Sequence, residues 1–320
     1  MPALPKFFKR KKPQKDFLIL EIGLERVVCA IFKKDESHLK LVGVGRKKFS
    51  TDDEIFNASL EAFDGLAAIV PEFPETGYIG VTGGSLETVT TLASYTREKP
   101  KNPIEAKETA NALEQVVENL GTESRKIFFS TVASASLDGV RVSNPLGLKG
   151  EQVELACFAA LKLNSEIELL DRIAGELDLD VQQILPSSFA VARYLQKKDM
   201  KDVLALRVGS AKSEITILSE GHISEIFPVD IGVQSQDFFP SAFQAALKAQ
   251  PKETFPSVIW LFSDNEEVDL GKLKEFLSGV DWVGQVGFPV LPKIEVAESV
   301  HNYSQADIGL YSLSLEVDKT

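Results

Sequence analysis

Apolar runs of strand length open the chain, and longer helix-spaced segments follow them. Phe17 to Gly23 (FLILEIG) has the length and content of a buried strand. Arg26 to Phe32 (RVVCAIF) follows a short turn as its hairpin partner, and His38 to Gly45 alternates as a third strand. From Asp53 to Val70 the period becomes helical, with Ile55, Leu60, Phe63, Leu66 and Ile69 on one side. Tyr78 to Thr82 is a further short strand. The charged stretch Thr96 to Ile104, with Pro100 and Pro103, breaks this series. An amphipathic helix follows over Ile104 to Leu120, carrying Leu113, Val116, Val117 and Leu120 on one face. Strands are predicted over Lys126 to Ala135 and Val153 to Leu161, with a hairpin signal at Asp138-Gly139 between them. This helix-plus-strands block reads as a small inserted domain.

Ser165, with Glu168 three residues on, predicts a capped helix whose stripe is Ile167, Leu170, Ile173, Ala174 and Leu177. A strand over Val181 to Leu185 and a helix over Pro186 to Gln196 come next. The opening pattern then returns. Leu18-Ile19-Leu20-Glu21-Ile22-Gly23 aligns with Leu204-Ala205-Leu206-Arg207-Val208-Gly209, and each is followed by a turn and a second apolar strand, Val27 to Ile31 and Ser213 to Leu218. Such a repeat predicts two lobes of like design in an α/β fold. Helices over Gln236 to Ala249 and Leu270 to Leu277 flank the strand Val258 to Phe262, and Tyr303 to Leu315 closes the chain with helical spacing.

Composition narrows the function classes. The 320 residues are 44% hydrophobic, enough for more than one core, and the formal charge of -12 disfavours a nucleic-acid partner. Cys29 and Cys157 lie in apolar runs as small buried residues, not as a disulfide framework. His38, His222 and His301 match no metal spacing. No run is long enough to span a bilayer and no signal peptide is visible, so a cytoplasmic location is expected. Residues 1–15 differ from the rest. Lys6, Lys9, Arg10, Lys11 and Lys12 stand beside Leu4, Phe7 and Phe8 with no acid among them. Such a basic aromatic tail could sit on an anionic membrane face, or remain a solvated tail without a partner.

The paired motifs resemble those of the actin-like ATPase superfamily, a two-lobed ribonuclease-H-like fold, and within it the FtsA and PilM proteins. Glu21-Ile22-Gly23 stands where the first phosphate hairpin has Asp-x-Gly. Arg207-Val208-Gly209-Ser210-Ala211-Lys212-Ser213-Glu214 is similar to the second hairpin, usually Asp-Ile-Gly-Gly-Gly-Thr-Thr-Asp. Asp138-Gly139, followed by Asn144-Pro145-Leu146-Gly147-Leu148-Lys149-Gly150, looks like the end of the FtsA inserted domain and favours FtsA over PilM. Ser304 to Leu310 resembles the family's closing helix. The resemblance implies a first lobe over 16–85, the inserted domain over 86–163, a return segment over 164–200 and a second lobe over 201–320. Only Val233 to Ser257 fills the interval where FtsA carries an outer subdomain, so that lobe is expected to be reduced.

In the family, backbone N–H groups of bare hairpin turns wrap the phosphates, and a carboxylate at the base of each hairpin holds magnesium. Here Arg207 puts a cation where one of those anions belongs. Two unit charges 4 Å apart interact by about 4 kcal/mol at an effective dielectric of 20. Ser210, Ala211 and Lys212 replace the bare turn, and Ser263-Asp264-Asn265-Glu266-Glu267 adds acids where a glycine pair is expected. Thr82-Gly83-Gly84-Ser85 reads as a hinge or turn. Glu21, Gly23, Arg207, Gly209, Ser210 and Lys212 therefore outline a vestigial nucleotide cleft, with Arg207 salt-bridged to Glu21 across it. Arg207 and Lys212 binding phosphate without metal is the alternative. The resemblance thus implies a non-catalytic adaptor, without ATP or magnesium as cofactor, joining FtsZ-like filaments to the inner membrane. Self-association into filaments is part of that picture. FtsA anchors through a C-terminal amphipathic helix. Leu315 to Lys319 is short and acidic, so membrane contact is expected from the N-terminal tail. A PilM-like platform holding the cytoplasmic tail of a pilus inner-membrane protein, and an active ATPase, are the rival readings.

Overall fold

The computed structural model describes residues 16–35, 38–118, 120–142, 144–248, 256–300 and 303–318. The basic aromatic tail, including Leu4, Lys6, Phe7, Phe8, Lys9, Arg10, Lys11 and Lys12, lies outside the described residues, as does His301.

The repeat seen in the sequence is a repeat of sheets. The first sheet has the order β3(His38–Lys48), β2(Arg26–Asp35), β1(Asp16–Ile22), β4(Thr76–Val81), β9(Asp180–Pro186). The second has the order β12(His222–Val229), β11(Ser213–Ser219), β10(Val203–Val208), β13(Val258–Phe262), β14(Lys293–Val296). In both, three antiparallel strands are continued by two parallel ones. Register makes the equivalence residue-by-residue. Glu21 faces Val28 and Gly80, and Arg207 faces Glu214 and Phe262. Glu21 and Arg207 are therefore counterparts. Thr82 and Asp264, two residues beyond Gly80 and Phe262, are counterparts as well.

Helices α1(Ile55–Ala67) and α3(Asn164–Glu176) cover the outer face of the first sheet, where Leu18, Leu20, Val27, Leu66, Leu170 and Ile173 form one core. Helices α5(Phe239–Lys248) and α6(Leu270–Ser278) cover the second, around Leu204, Leu206, Phe243, Leu273 and Trp282. Between the lobes lie α4(Ser187–Lys197) and α7(Ile308–Val317), packed against each other in a shared core with Phe17, Ile19, Val203 and Ala205. α7 is buried around most of its circumference, because it meets both sheets and α4. Arg26 and Arg46 fix its start. Arg26 Nη2 donates to the Ala306 carbonyl at 2.5 Å and to Asp307 Oδ1 at 3.1 Å, and Arg46 Nη2 reaches Asp307 Oδ2 at 2.8 Å.

Between β4 and β9 sits a four-stranded antiparallel sheet, β5(Glu87–Thr96), β8(Gln152–Leu163), β6(Arg125–Leu137), β7(Val140–Val142), with α2(Ala106–Val117) across it. Asp138 and Gly139 make the β6–β7 turn with positive φ, as their sequence predicts. β5 was not legible as a strand. Thr88 and Thr90 on one face turn to the second lobe, where Thr88 Oγ1 bonds the Ile226 carbonyl at 2.8 Å and Thr90 Oγ1 the Ile223 carbonyl at 3.1 Å. The inserted module thus leans on both lobes. β14, only four residues long, was likewise unseen. The cap expected at Ser165 is not there. Ser85 Oγ takes the Leu163 N–H and the Ser124 carbonyl takes the Asn164 N–H from outside, so α3 begins at Asn164 with Ser165 already inside it. Cys29 and Cys157 are both free and buried, and burial pushes the Cys29 thiol up to about 12.

Two tests follow from this packing. Gly45 of β3 lets α1 lie directly on the sheet, since a Cβ there would sit 1.9 Å from the Ala62 carbonyl oxygen. Gly45→Ala is expected to lower the unfolding free energy by roughly 1–3 kcal/mol in denaturant titrations. Gly65→Ala, whose Cβ would meet only the Gly45 Cα at 3.7 Å, should leave stability unchanged or raise it by up to about 1 kcal/mol. The second test concerns Asp307. Burial would raise its carboxyl, but Arg46 and Arg26 outweigh that and hold it below the ordinary 3.8. A depressed carboxyl contributes stability above its unfolded value and loses it as pH falls through the folded one. Asp307→Asn should therefore be less stable than wild type at neutral pH, and the gap should close as the pH drops below about 4.

Candidate functional site

The two β-hairpins point their turns at each other across the interlobe cleft. They have equal length. Gly23 N–H bonds the Arg26 carbonyl at 2.9 Å, and Gly209 N–H bonds the Lys212 carbonyl at 2.8 Å. Gly23-Leu24-Glu25-Arg26 and Gly209-Ser210-Ala211-Lys212 are thus matched turns, and what fills the space between them is protein.

Arg207 lies at the centre, fully buried. Its Nη2 donates to Glu21 Oε1 at 2.6 Å, its Nη1 donates to the Thr82 hydroxyl, and its Nε stands 3.1 Å from Asp264 Oδ1 as an ion pair without an aligned hydrogen bond. The guanidinium also lies over the Phe262 ring, 5.3 Å from its centroid. Burial alone would lower the Arg207 pKa, but Asp264, Glu21 and Glu214 outweigh it and hold the group above its ordinary value. Burial raises Glu21 and Glu214 in turn, against the pull of Arg207. The cation is therefore permanent and the acids around it share its neutralisation.

Three carboxylates occupy backbone N–H groups of the kind that bind phosphate. Glu25, in the first turn, accepts from the Ser210 N–H, from the Ala211 N–H at 3.2 Å, from the Ser210 hydroxyl at 2.9 Å and from the Asn265 amide at 2.9 Å. Asp264, after β13, accepts from the Leu24 N–H at 3.4 Å. Glu214 of β11 accepts from the Gly83 N–H at 2.8 Å and from the Ser188 hydroxyl. The bare glycines make room for these acids. A Cβ on Gly23 would lie 2.5 Å from Asp264 Oδ2, and one on Gly209 2.9 Å from Glu25 Oε1. A third, on Gly309 of α7, would lie 2.0 Å from Arg207 Nη2 and 2.2 Å from Glu21 Oε1.

Glu21, Gly23, Arg207, Gly209 and Ser210 converge on this centre. Lys212 does not; it lies at the rim, half-exposed, 3.3 Å from Asp52. Thr82-Gly83-Gly84 is a turn with positive φ at both glycines, and it is also a wall of the cleft through the Gly83 N–H and the Thr82 hydroxyl. Of the acids after β13, Asp264 is buried against Arg207, and Glu267 pairs with Lys48 at the surface at 2.6 Å. Glu25, Glu214 and Gly309 were not singled out for the cleft. The repeat carried a signal for Glu25, since it stands in the turn matching Gly209 to Lys212. The space left beside the first hairpin is a cavity of about 110 Å³ between Phe49, Gly83, Lys162 and Lys212. Among the described residues no cluster of His, Cys, Asp or Glu is arranged to hold a metal, and no helix is long and apolar enough to cross a membrane.

No family model matches the sequence, and no curated protein matches it. Solved structures do match. A chain of the PilM–PilN type IV pilus biogenesis complex aligns over 95% of this chain and 99% of its own, with a TM-score of 0.57 at 12% identity. A Bacteroides thetaiotaomicron protein of actin-like ATPase fold and unknown function aligns over 97% of this chain and 98% of its own, with a TM-score of 0.52 at 10% identity. At these identities the likeness is one of architecture, and it agrees with the paired sheets: the chain has the actin-like ATPase fold.

Proposed function

We propose that this chain is a non-catalytic platform, acting in the cytoplasm as a docking body for the cytoplasmic part of an inner-membrane protein of a pilus or secretion assembly. The observation that carries the non-catalytic half is the buried Arg207 centre. A magnesium–triphosphate needs free carboxylates beneath the hairpins and open N–H groups in their turns. Here Glu21 and Asp264 are paired with Arg207, and Glu25 and Glu214 cover the amides. The 110 Å³ cavity is also small against the roughly 300 Å³ or more of a typical ligand pocket. The residues present do not fit the nucleotide, and no hydrolytic step is assigned to them.

The platform half is supported by the match along nearly the whole chain to the PilM–PilN complex. The FtsA-like reading, with an FtsZ-like partner, has no comparable support. The Asn144 to Gly150 segment that favoured it serves a local purpose. The Ile104 N–H bonds the Leu148 carbonyl at 2.8 Å and the Gly147 N–H bonds the Ile104 carbonyl at 2.9 Å, closing the inserted module at the end where β5 finishes and β8 begins. Filament formation and contact of the N-terminal tail with anionic lipid belong to the same FtsA-like picture and carry no observation of their own.

Two experiments test these halves. Calorimetry of the intact chain with ATP and magnesium should give no saturable heat; a saturable signal would overturn the non-catalytic reading. Capture from detergent-solubilised membranes of the native cells, with the intact chain as bait, should recover an inner-membrane assembly protein of the pilus or secretion class. Recovery of a tubulin-like division protein instead would restore the FtsA reading.

The ion pair has its own test. Arg207→Glu or Glu21→Arg alone should cost about 3–5 kcal/mol in denaturant unfolding, the range for breaking a buried pair. The double exchange should recover part of that loss, not all, because Arg207→Glu places an acid against Asp264. Strictly additive losses would mean that the two side chains do not act as a pair.

A further inference from the structure

The second hairpin turn is an anion nest that already holds an anion. Four donors converge on one carboxylate: the N–H groups of Ser210 and Ala211, the Ser210 hydroxyl and the Asn265 side-chain amide. All four belong to the second lobe, and the carboxylate belongs to Glu25 of the first. Consecutive N–H groups in a turn, aimed at one point, are the arrangement that cradles phosphate oxygens. Gly209 brings the backbone close enough, since a Cβ there would sit 2.9 Å from Glu25 Oε1. The reverse contact mirrors it, with Gly23 packed on Asp264 and the Leu24 N–H 3.4 Å from that carboxylate. Leu24 and Ser210 are equivalent by hairpin register, so each turn gives its N–H to an acid of the opposite lobe.

We propose that Glu25 is a tethered counter-anion: its carboxylate fills the phosphate-type nest of the second hairpin and latches the two lobes shut in place of a bound ligand. In a two-lobed protein with an open cleft, a polyanion lying between the turns bridges the lobes only while it is bound. Glu25 is covalently held, so the nest meets its anion at a high effective concentration that no free ligand has to supply. Closure then becomes a fixed property of the chain. The surface spanning both lobes, including the β5 contacts to β12, is presented in one arrangement throughout. The latch builds on the closed cleft of the platform reading, yet it is independent of which partner docks.

Hydrogen exchange and calorimetry on the intact chain test it. Glu25→Ala removes the carboxylate, and Glu25→Gln keeps its shape while weakening the charge-assisted bonds. Amide exchange of the peptide holding Ser210 and Ala211 should speed up by about tenfold or more in Glu25→Ala, with a smaller rise in Glu25→Gln. Inorganic tripolyphosphate should give no saturable heat with wild type and a saturable one with Glu25→Ala, whose exchange rate it should then slow. Unchanged exchange in both variants would overturn the latch, as would equal tripolyphosphate binding by wild type and Glu25→Ala. If Glu25→Ala fails to fold, Glu25→Gln carries the comparison alone. Failure to capture a membrane partner would remove the platform and leave the latch standing; unchanged exchange would do the reverse.

Discussion

A guanidinium with no access to water has to be neutralised by its surroundings, and most of the interlobe architecture follows from satisfying Arg207. It stands at the penultimate position of β10, where the sheet register aims it into the cleft. Its counterpart at the penultimate position of β1 is Glu21, so the repeat delivers the first partner without any special device. Thr82 and Asp264, themselves counterparts beyond the parallel strands, supply the second and third. Pairing of this quality offsets the large cost of removing a charge from water, with little net gain over an apolar core. What it confers is specificity of arrangement, because four segments from both lobes have to meet at one point.

Glycine is the other half of that arrangement. Carboxylates and the guanidinium occupy space that side chains on Gly23, Gly209 and Gly309 would deny them. In the first two cases the glycine that opens the turn is a feature shared with phosphate-binding hairpins. Here it admits Asp264 and Glu25 instead. The glycine of α7 has no such precedent in the hairpins. It allows the closing helix to lie on the Glu21–Arg207 pair, while Arg26 and Arg46 hold the preceding Asp307. The third wall of the centre is thus a helix far along the chain, brought in by a clamp from the first sheet.

The fold was largely legible because its signal repeats. Leu18 to Gly23 and Leu204 to Gly209 matched in pattern and proved to match in register, and the strands around them followed. Legibility failed where burial was not the cause of structure. β5 is laddered to β8 and turns Thr88 and Thr90 to the backbone of β12, so only Ala93 and Tyr95 mark a core-facing side. α3 starts early because Ser85 and Ser124 satisfy its amides, not because of its own cap. At the site, the charge reversal at Arg207 was visible and its partner Glu21 could be named from the repeat. Glu25 was not, since an acid in a turn is an ordinary surface residue until the opposite turn is known to face it. Of the acids that stand after β13 where a glycine pair is expected, Asp264 serves Arg207 and the Leu24 amide.

The contacts around Arg207 also depend on one another. Placing an arginine beneath a phosphate hairpin would, by itself, leave a buried cation and two empty turns, which is a costly combination. The structure resolves both problems with the same chemistry. Asp264 neutralises Arg207 and also covers the first turn; Glu25 covers the second turn from the first hairpin; Glu214, beside Arg207 on the neighbouring strand, covers Gly83. Each acid added for the arginine, or for a turn, reduces the room and the positive potential that a polyphosphate would require. Once one of these contacts is in place, the others become stabilising to acquire. On the platform reading, a cleft whose contacts depend on one another in this way leaves the surfaces outside it for recognition.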